Sequence, residues 1–250
     1  MKIAYYKYKD INSYGIIREN IVYPVIGNIF KDFDTESDGV PVDEVKLLAP
    51  IRPRKLVCVG LNYELHAKES KMDIPDEPMI FMCSPAAIIG TQDTIELDNK
   101  SDCIDYEAEL AIVIKKEGKN ILASQYQDYI LGYTCGNDVS NRDLQKKDGQ
   151  FTRAKSFDTY KPLGPYIETE LNPNKLDIKL WQNGEMKQSS NTSDMIFSVD
   201  KIIEFISHIM TLEPGDVILT GTPSGIGKLE KGDFIKVEIE NIGELLNDVK

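Results

Sequence analysis

The sequence predicts an α+β fold in which β-strands predominate. Two observations carry this prediction in a chain of 250 residues. Short runs of β-branched and aromatic residues, separated by turn-forming residues, recur along the whole length. Only one segment, between Ser198 and Pro214, has a clear helical period of apolar residues. Because strands do not alternate with long helices, the pattern excludes a parallel α/β sheet.

The first fifty residues predict a small β-meander domain. Strand-like runs cover residues 2–8, 14–18 and 21–27, and turn-forming residues separate them. The segment Ile51-Arg-Pro-Arg-Lys follows, and its two cations around Pro53 suit an extended linker better than a packed element. We therefore place a boundary near residue 50, with a small N-terminal β domain at 1–50 and a larger domain at 51–250.

Strands also dominate the larger domain. We predict them at residues 55–60, 79–83, 105–115, 177–181, 217–221 and 234–240. The dipeptide Asn183-Gly184 is the strongest short hairpin signal in the chain. The long helix is predicted to follow Ser198, and shorter helices are predicted at 63–71 and 140–147.

Composition and charge narrow the class of protein. The chain is 41% hydrophobic and 28% charged, which excludes a disordered or low-complexity chain. Its 29 Lys and Arg residues face 41 Asp and Glu residues, and the net charge of −12 disfavours nucleic acid as a partner. No apolar run approaches the ~20 residues of a membrane-spanning helix and no signal-peptide core is present, so we expect a cytoplasmic protein. The four cysteines form no C-x-x-C pair and are expected to be reduced, with a disulfide or a zinc site as the alternative.

Two carboxylates two residues apart, Glu107 and Glu109, are the most informative feature. On a strand both project from the same face, and carboxylates that close repel each other unless something neutralises them. A set of oxygen ligands favours Mg²⁺, Mn²⁺ or Ca²⁺ over zinc. Asp138, which follows the strand-like run 130–136, is a candidate third ligand. Two alternatives stay open: both glutamates could face solvent, and Asp138 or Ser140 could cap the following helix.

The two histidines of the chain differ in their neighbours. His208 lies on the predicted long helix, where a structural role is expected. Glu69 follows His66 by three residues, and on a helix the two side chains would share one face. A carboxylate beside an imidazole fixes its tautomer and raises its basicity, as deprotonation of water requires, but a simple surface pair has the same spacing.

A glycine-rich loop, Thr220-Gly-Thr-Pro-Ser-Gly-Ile-Gly-Lys-Leu, departs from the nucleotide-binding pattern. Five residues separate its Gly221 from its Gly227, and Leu229 stands where Ser or Thr must bind magnesium. We therefore reject nucleotide binding. The backbone N–H groups of the loop suit a carboxylate ligand, although a turn without function has the same composition.

Taken in order, these segments resemble the fumarylacetoacetate hydrolase family, and the resemblance covers nearly all of residues 52–249. It implies a mixed β-sandwich roll, usually dimeric, and the first fifty residues are similar to the small N-terminal domain of some members. The matching motifs are Val59-Gly-Leu-Asn-Tyr with His66 and Glu69, Asp105-Tyr-Glu-Ala-Glu-Leu, Gly132-Tyr-Thr, Asn137-Asp-Val-Ser, Arg142-Asp-Leu-Gln145, Lys155-Ser-Phe-Asp-Thr, Pro162-Leu-Gly-Pro and the segment from Leu212 to Gly227.

The resemblance implies a divalent ion at the matched acidic residues. Glu107, Glu109 and Asp138 match its ligands, with Mg²⁺ or Mn²⁺ as the expected ion and Ca²⁺ also compatible. Two positions depart from the family pattern. Leu61 stands where some members have Arg, so a cation that could be directed at an acidic substrate is missing, and Phe151 takes a place often held by Trp.

The resemblance also implies roles in catalysis and substrate binding. The short helix with His66 and Glu69 is expected to be a lid, and the pair is expected to orient a water. Lys155 is expected to stabilise a developing oxyanion or enolate. The expected substrate contacts are Gln145, Gly221 and Thr222.

The expected activity is that of a divalent-metal-dependent hydrolase. It would cleave a C–C bond in an acylpyruvate or diketo acid, such as fumarylpyruvate or acetylpyruvate, through a metal-bound enolate. The same site would serve an oxaloacetate-type decarboxylase or a 2-hydroxyhepta-2,4-diene-1,7-dioate isomerase, and the sequence does not choose among them. A hypothesis of another class is a non-catalytic β protein stabilised by Ca²⁺. The expected partners are a small 2-oxo or diketo acid and a second copy of the chain in a homodimer, with no nucleic acid and no membrane.

Overall fold

Strands carry most of the ordered structure, as the sequence predicts, in a computed structural model that describes residues 1–97 and 103–250. The N-terminal region forms an antiparallel meander, and its first strand also pairs with a strand of the larger region. The predicted division into two domains stays a prediction. The N-terminal strands are β1 (Lys2–Tyr8), β2 (Ile11–Arg18), β3 (Ile21–Gly27), β4 (Phe33–Thr35), β5 (Val40–Pro41) and β6 (Lys46–Leu47).

The larger region supplies the remaining strands of the described residues. These are β7 (Leu56–Val59), β8 (Ile80–Cys83), β9 (Ile88–Ile89), β10 (Ile104–Tyr106), β11 (Ala108–Ile114), β12 (Ile130–Asn137), β13 (Ser140–Asn141), β14 (Lys161–Glu168), β15 (Asp177–Gln182), β16 (Glu185–Asn191), β17 (Val217–Leu219), β18 (Gly227–Lys228), β19 (Phe234–Ile239) and β20 (Gly243–Asp248).

The described strands form three sheets. The largest has the order β4-β3-β2-β1-β14-β12-β11-β17-β7-β8, with β5, β6 and β9 paired at its sides. A four-stranded sheet has the order β16-β15-β19-β20, and β13-β10-β18 form a small third sheet. The strand pairs are mostly antiparallel, but β17 with β7 and β14 with β9 are parallel. The predicted predominantly β mixed fold is therefore confirmed.

Strand β11 lies at the centre of the packing and is buried on both faces. Leu110 and Ile112 belong to the apolar core between the large sheet and the four-stranded sheet. The alternating residues Ala111 and Val113 belong to a second core on the opposite face. Successive side chains of a strand point to opposite faces, so one apolar run fills both cores. This double burial gives the two sides of β11 little freedom to move.

Four α-helices occur in the described residues: α1 (Glu64–Ser70), α2 (Arg142–Asp148), α3 (Thr152–Lys155) and α4 (Val199–Ile209). Helix α4 is the predicted amphipathic helix, and it buries Ile202, Ile203 and Ile206. Helix α1 confirms the predicted lid segment as a helix. The interpretation of Asp138 or Ser140 as the cap of α2 is wrong, because the Asn141 side chain accepts from the Leu144 N–H at 3.0 Å.

The predicted hairpin turn is confirmed, and one predicted strand is interrupted. Asn183 and Gly184 have φ of 54° and 81°, which is the backbone that a tight two-residue hairpin requires. The strand predicted at 105–115 is broken at Glu107, whose N–H donates to the Asn137 side chain at 2.9 Å rather than to a partner strand. Within the described residues, no helix has the length and apolar character needed to cross a bilayer.

Candidate metal centre

Three buried carboxylates lie together where β11 pairs with β12. Glu107 lies between β10 and β11, Glu109 lies in β11, and Asp138 directly follows β12. The antiparallel pairing brings them to the same end of the β11–β12 pair, where the Asp138 N–H donates to the Glu107 carbonyl at 2.9 Å. One oxygen of each side chain lies within 4.8 Å of the others, and each residue is at most 4% exposed. The alternative in which both glutamates face solvent is therefore wrong.

Glu107 is surrounded by hydrogen-bond donors. Its Oε2 accepts from Lys155 Nζ at 2.7 Å and from Ser140 Oγ at 3.2 Å, and its Oε1 accepts from Arg142 at 2.5 Å. Arg142 also donates to Asp105 at 2.7 Å. Burial raises the pKa of Glu107, but Arg142 and Lys155 outweigh burial and hold that pKa well below its usual range. Glu107 is therefore an anion in the ion-free protein.

Asp138 is held by two lysines, one on each carboxylate oxygen. Its Oδ2 accepts from Lys155 Nζ at 2.7 Å, and its Oδ1 lies 2.7 Å from Lys161 Nζ. Lys155 is the last residue of α3, and it bridges Asp138 to Glu107. Burial lowers the pKa of Lys155, but Asp138 and Glu107 together raise it above its usual range. The bridge is therefore a buried cation between two anions.

Glu109 differs from the other two carboxylates. Its Oε2 accepts from the Gly221 N–H at 2.8 Å, and the described residues offer it no ion pair. Burial, and then the nearby Asp138 and Glu107, raise the pKa of Glu109 well above its usual range. Gly221 has φ +95°, and a Cβ there would lie 2.7 Å from the Asn62 side chain, so only glycine brings this N–H to Glu109 without strain. Of the three carboxylates, Glu109 is the one that forms no ion pair with a lysine or arginine among the described residues.

Helix α1, the expected lid, places an imidazole beside a carboxylate. His66 is 5% exposed, and its Nδ1 lies 3.1 Å from Glu69 Oε2. An ionised carboxylate can only accept, so Nδ1 must donate, and Nε2 has a lone pair whenever the imidazole is neutral. The Gly225 N–H donates to Glu69 at 3.1 Å, which fastens α1 to the glycine-rich loop. His66 also contributes to the lowered pKa of Glu107, so the imidazole lies within electrostatic range of the carboxylates.

All three residues that are expected to contact the substrate form hydrogen bonds within the protein. Gln145 Oε1 accepts from Arg142 at 2.9 Å, which turns this amide toward the cluster. Thr222 Oγ1 accepts from Gln188 at 2.9 Å and is 3% exposed. The Gly221 N–H is bound to Glu109 and is not free for a ligand. The roles of Gln145, Gly221 and Thr222 in substrate binding stay predictions.

Two family models match this chain over adjoining segments. One is described as "Rv2993c-like, N-terminal" and matches residues 1–50. The other is described as "Fumarylacetoacetate (FAA) hydrolase C-terminal" and matches residues 55–250. The chain belongs to the fumarylacetoacetate hydrolase family. The resemblance carried by the sequence motifs is thereby confirmed.

Relatives in this family have different described activities. "Oxaloacetate tautomerase Fahd2a, mitochondrial" of Rattus norvegicus is 42% identical over 222 residues, which are 84% of this chain and 71% of that protein. The structure of 2-hydroxyhepta-2,4-diene-1,7-dioate isomerase from Mycobacterium marinum has a TM-score of 0.93 and 41% identity, covering 100% of this chain and 98% of that one. The structure of fumarylacetoacetate hydrolase from Exiguobacterium antarcticum has a TM-score of 0.90 and 36% identity, covering 100% and 99%. The chain is thus an enzyme of a family whose members differ in reaction.

The acidic residues that this member of the family brings together fit a divalent cation. They provide three buried carboxylates with one oxygen each inside a 4.8 Å cluster. Oxygen ligands of this kind are those that Mg²⁺, Mn²⁺ and Ca²⁺ prefer. Glu109 lacks a cationic partner among the described residues, and a bound cation would supply one. The donor set therefore fits a hard divalent ion and not zinc.

Ion binding at this cluster is expected to strengthen as pH rises. The raised pKa of Glu109 favours its neutral form in the ion-free protein, and a ligating carboxylate must lose that proton. The same shift stabilises the ion-free fold below the ordinary carboxyl pKa of 4.5, and this stabilisation is lost as pH rises through the higher folded pKa. We expect Mg²⁺ affinity measured by calorimetry to rise up to about tenfold per pH unit, with about one proton released per ion. An affinity that does not rise with pH above the ordinary carboxyl pKa of 4.5 would contradict the assignment of Glu109.

Sequence reasoning missed two cations of the centre. Arg142 stands in a family motif but was assigned no role, and Lys161 was not considered. The signal for both is the charge of the three acids, because carboxylates that are buried together require buried cations or a metal. Lys161 opens the apolar run of β14, which is an unusual place for a lysine unless an acid faces it.

Proposed function

We propose that this enzyme interconverts the keto and enol forms of a small 2-oxo acid, with oxaloacetate as the representative substrate. The observation that carries the proposal is the pairing of His66 with Glu69 on a helix that is hydrogen-bonded to the glycine-rich loop, with the imidazole within electrostatic range of Glu107. The proposal is supported by the relative described as an oxaloacetate tautomerase and by the relative described as a dienedioate isomerase. Both names describe reactions that move a proton within one molecule and leave its carbon skeleton intact.

The side chains divide the proton transfer between them. His66 Nε2 takes a proton from carbon 3, and Glu69 stabilises the imidazolium that results through its hydrogen bond to Nδ1. Lys155 donates two hydrogen bonds within the described residues, and an ammonium has three donors, so one N–H remains for the substrate oxygen. A divalent ion at Glu107, Glu109 and Asp138 would supply Lewis-acid stabilisation of negative charge on substrate oxygens. The imidazolium then returns its proton to carbon or to oxygen.

The direct test follows the ultraviolet absorbance of enolic oxaloacetate. Protein supplied with Mg²⁺ or Mn²⁺ is expected to accelerate the loss of this absorbance without forming pyruvate. Pyruvate release from oxaloacetate would instead identify the decarboxylase. Protein that is inert toward oxaloacetate, acetylpyruvate and fumarylpyruvate would overturn the proposed substrate class.

Hydrolysis of an acylpyruvate is the second candidate. It is favoured by the same His66–Glu69 pair, which has the arrangement needed to deprotonate a water, and by the relative described as a fumarylacetoacetate hydrolase. The test is coupled detection of pyruvate from acetylpyruvate and fumarylpyruvate. Turnover of these compounds that greatly exceeds that of oxaloacetate would make hydrolysis the principal activity.

Glu69→Gln is expected to lower kcat/KM by about 10²-fold, because the substitution removes the charge that stabilises protonated His66. The amide can still accept from the Gly225 N–H, so the lid helix stays attached and the thermal unfolding midpoint and Mg²⁺ affinity should not change. The matched control is Glu64→Gln, which removes the same charge from an exposed position on the same helix. Unchanged turnover in Glu69→Gln would favour the hypothesis of a Ca²⁺-stabilised scaffold.

A further inference from the structure

Lys161 is a lysine with no exposed surface, at the first position of β14. Its Nζ lies 2.7 Å from Asp138 Oδ1, 3.0 Å from the Tyr160 carbonyl and 3.2 Å from the Val139 carbonyl. The two carbonyls accept hydrogen bonds from Nζ, and Asp138 Oδ1 lies at ion-pair distance. Lys161 has no exposed surface and all three of these neighbours are protein oxygens, so we assign it no direct contact with a substrate.

A buried cation of this kind opposes folding, so its presence points to a specific function. An apolar residue of similar volume is often as stable or more stable at such a position. Two hydrogen bonds to backbone carbonyls and the ion pair with Oδ1 hold the ammonium beside Asp138. The position places an ammonium close to the carboxylate cluster.

The charges around the cluster indicate what this cation does. The carboxylates Asp105, Glu107, Glu109 and Asp138 face three cations in the described residues, which are Arg142, Lys155 and Lys161. With all four acids ionised, the group has one net negative charge, and a bound divalent ion reverses it to one net positive charge. Without Lys161, the ion-loaded group would be neutral and would no longer attract an anion.

We propose that Lys161 is a positioning residue that orients Asp138 and sets the charge of the site, weakening divalent-ion binding and strengthening the binding of an anionic substrate. The proposal rests on the part of the proposed function that places a divalent ion at the carboxylate cluster, but not on the reaction catalysed. Its ammonium repels the incoming cation and attracts the anion that follows. Lys161 thereby lowers the affinity of the site for the ion and raises its affinity for the anionic substrate.

The test compares two binding constants in Lys161→Met and Lys161→Gln. Mn²⁺ binding is measured by water proton relaxation, and oxalate, which has the adjacent oxygens of a 2-oxo acid, is titrated into the Mn²⁺-loaded protein. Relative to the parent chain, we expect Mn²⁺ to bind at least about tenfold more tightly and oxalate at least about tenfold more weakly. Lys201→Met is the matched control, because it removes the same charge from an exposed position on α4 and should change neither constant.

Opposite shifts of the two constants separate this proposal from a structural role. Mn²⁺ binding that is unchanged or weaker in both variants would overturn it, because Lys161 would then serve only to orient Asp138. Failure of both variants to fold would also overturn it, because the charge would then be a requirement of the fold. Both constants are measured without turnover, so a failure of the oxaloacetate assay leaves this result independent.

Discussion

Glu109→Gln is expected to abolish Mg²⁺ binding and to lower kcat/KM by at least about 10³-fold, while leaving the ion-free protein as stable as the parent or more stable. Glu109 is the carboxylate that the described residues leave without a cation, so its loss removes an ion ligand and leaves no protein charge unpaired. The amide can still accept from the Gly221 N–H. Calorimetric titration with Mg²⁺ and thermal unfolding at about pH 8 check the two halves of this expectation.

Glu107→Gln is the matched control for this prediction. The substitution is chemically the same, but Glu107 is paired with Arg142 and Lys155, and its loss leaves buried cations with fewer partners. We expect the ion-free protein to lose about 3–5 kcal/mol of unfolding free energy, because breaking one side of a buried ion pair is strongly destabilising. Equal stability losses in the two variants would contradict the assignment of Glu109 as the uncompensated ligand.

Local sequence patterns predict those parts of the fold that depend on near neighbours. The hairpin at Asn183 and Gly184 needs only two residues that tolerate positive φ, and both adopt it. Helix α4 follows from an apolar stripe at helical spacing. The pair Glu107 and Glu109 could be placed on one face by strand periodicity, although the strand itself breaks at Glu107. Periodicity does not predict that break, because it depends on the Asn137 side chain from another strand.

The ion-pair network could not be predicted, because it depends on contacts far apart in the sequence. Lys155 and Glu107 are 48 positions apart, and nothing in either local segment identifies the other as a partner. The short helix Thr152–Lys155 ends at Lys155, and this last residue enters the cluster. Family motifs identified Lys155 through resemblance. Lys161 lies outside the motif residues considered, and only the fold brings it to Asp138.

Lys155→Met is expected to lower kcat/KM by about 10³-fold while Mn²⁺ binds at least as tightly as in the parent chain. The lysine N–H that remains for a substrate oxygen is lost, and with it the stabilisation of negative charge on that oxygen. Removing a cation between Glu107 and Asp138 makes the cluster more negative, which favours a divalent ion. The ion-free protein should be less stable, because each carboxylate keeps only one cationic partner, Arg142 or Lys161.

Addition of Mn²⁺ is therefore expected to restore more thermal stability to Lys155→Met than it adds to the parent chain, since the ion replaces the missing charge. Lys146→Met is the matched control, because it makes the same substitution at an exposed position of the neighbouring helix α2. Loss of Mn²⁺ binding in Lys155→Met together with loss of turnover would mean that Lys155 serves to assemble the ion site. Retained Mn²⁺ binding with lost turnover would mean that Lys155 acts on the substrate. An enzyme needs a cation that acts on the reacting oxygen, whereas a structural ion site does not.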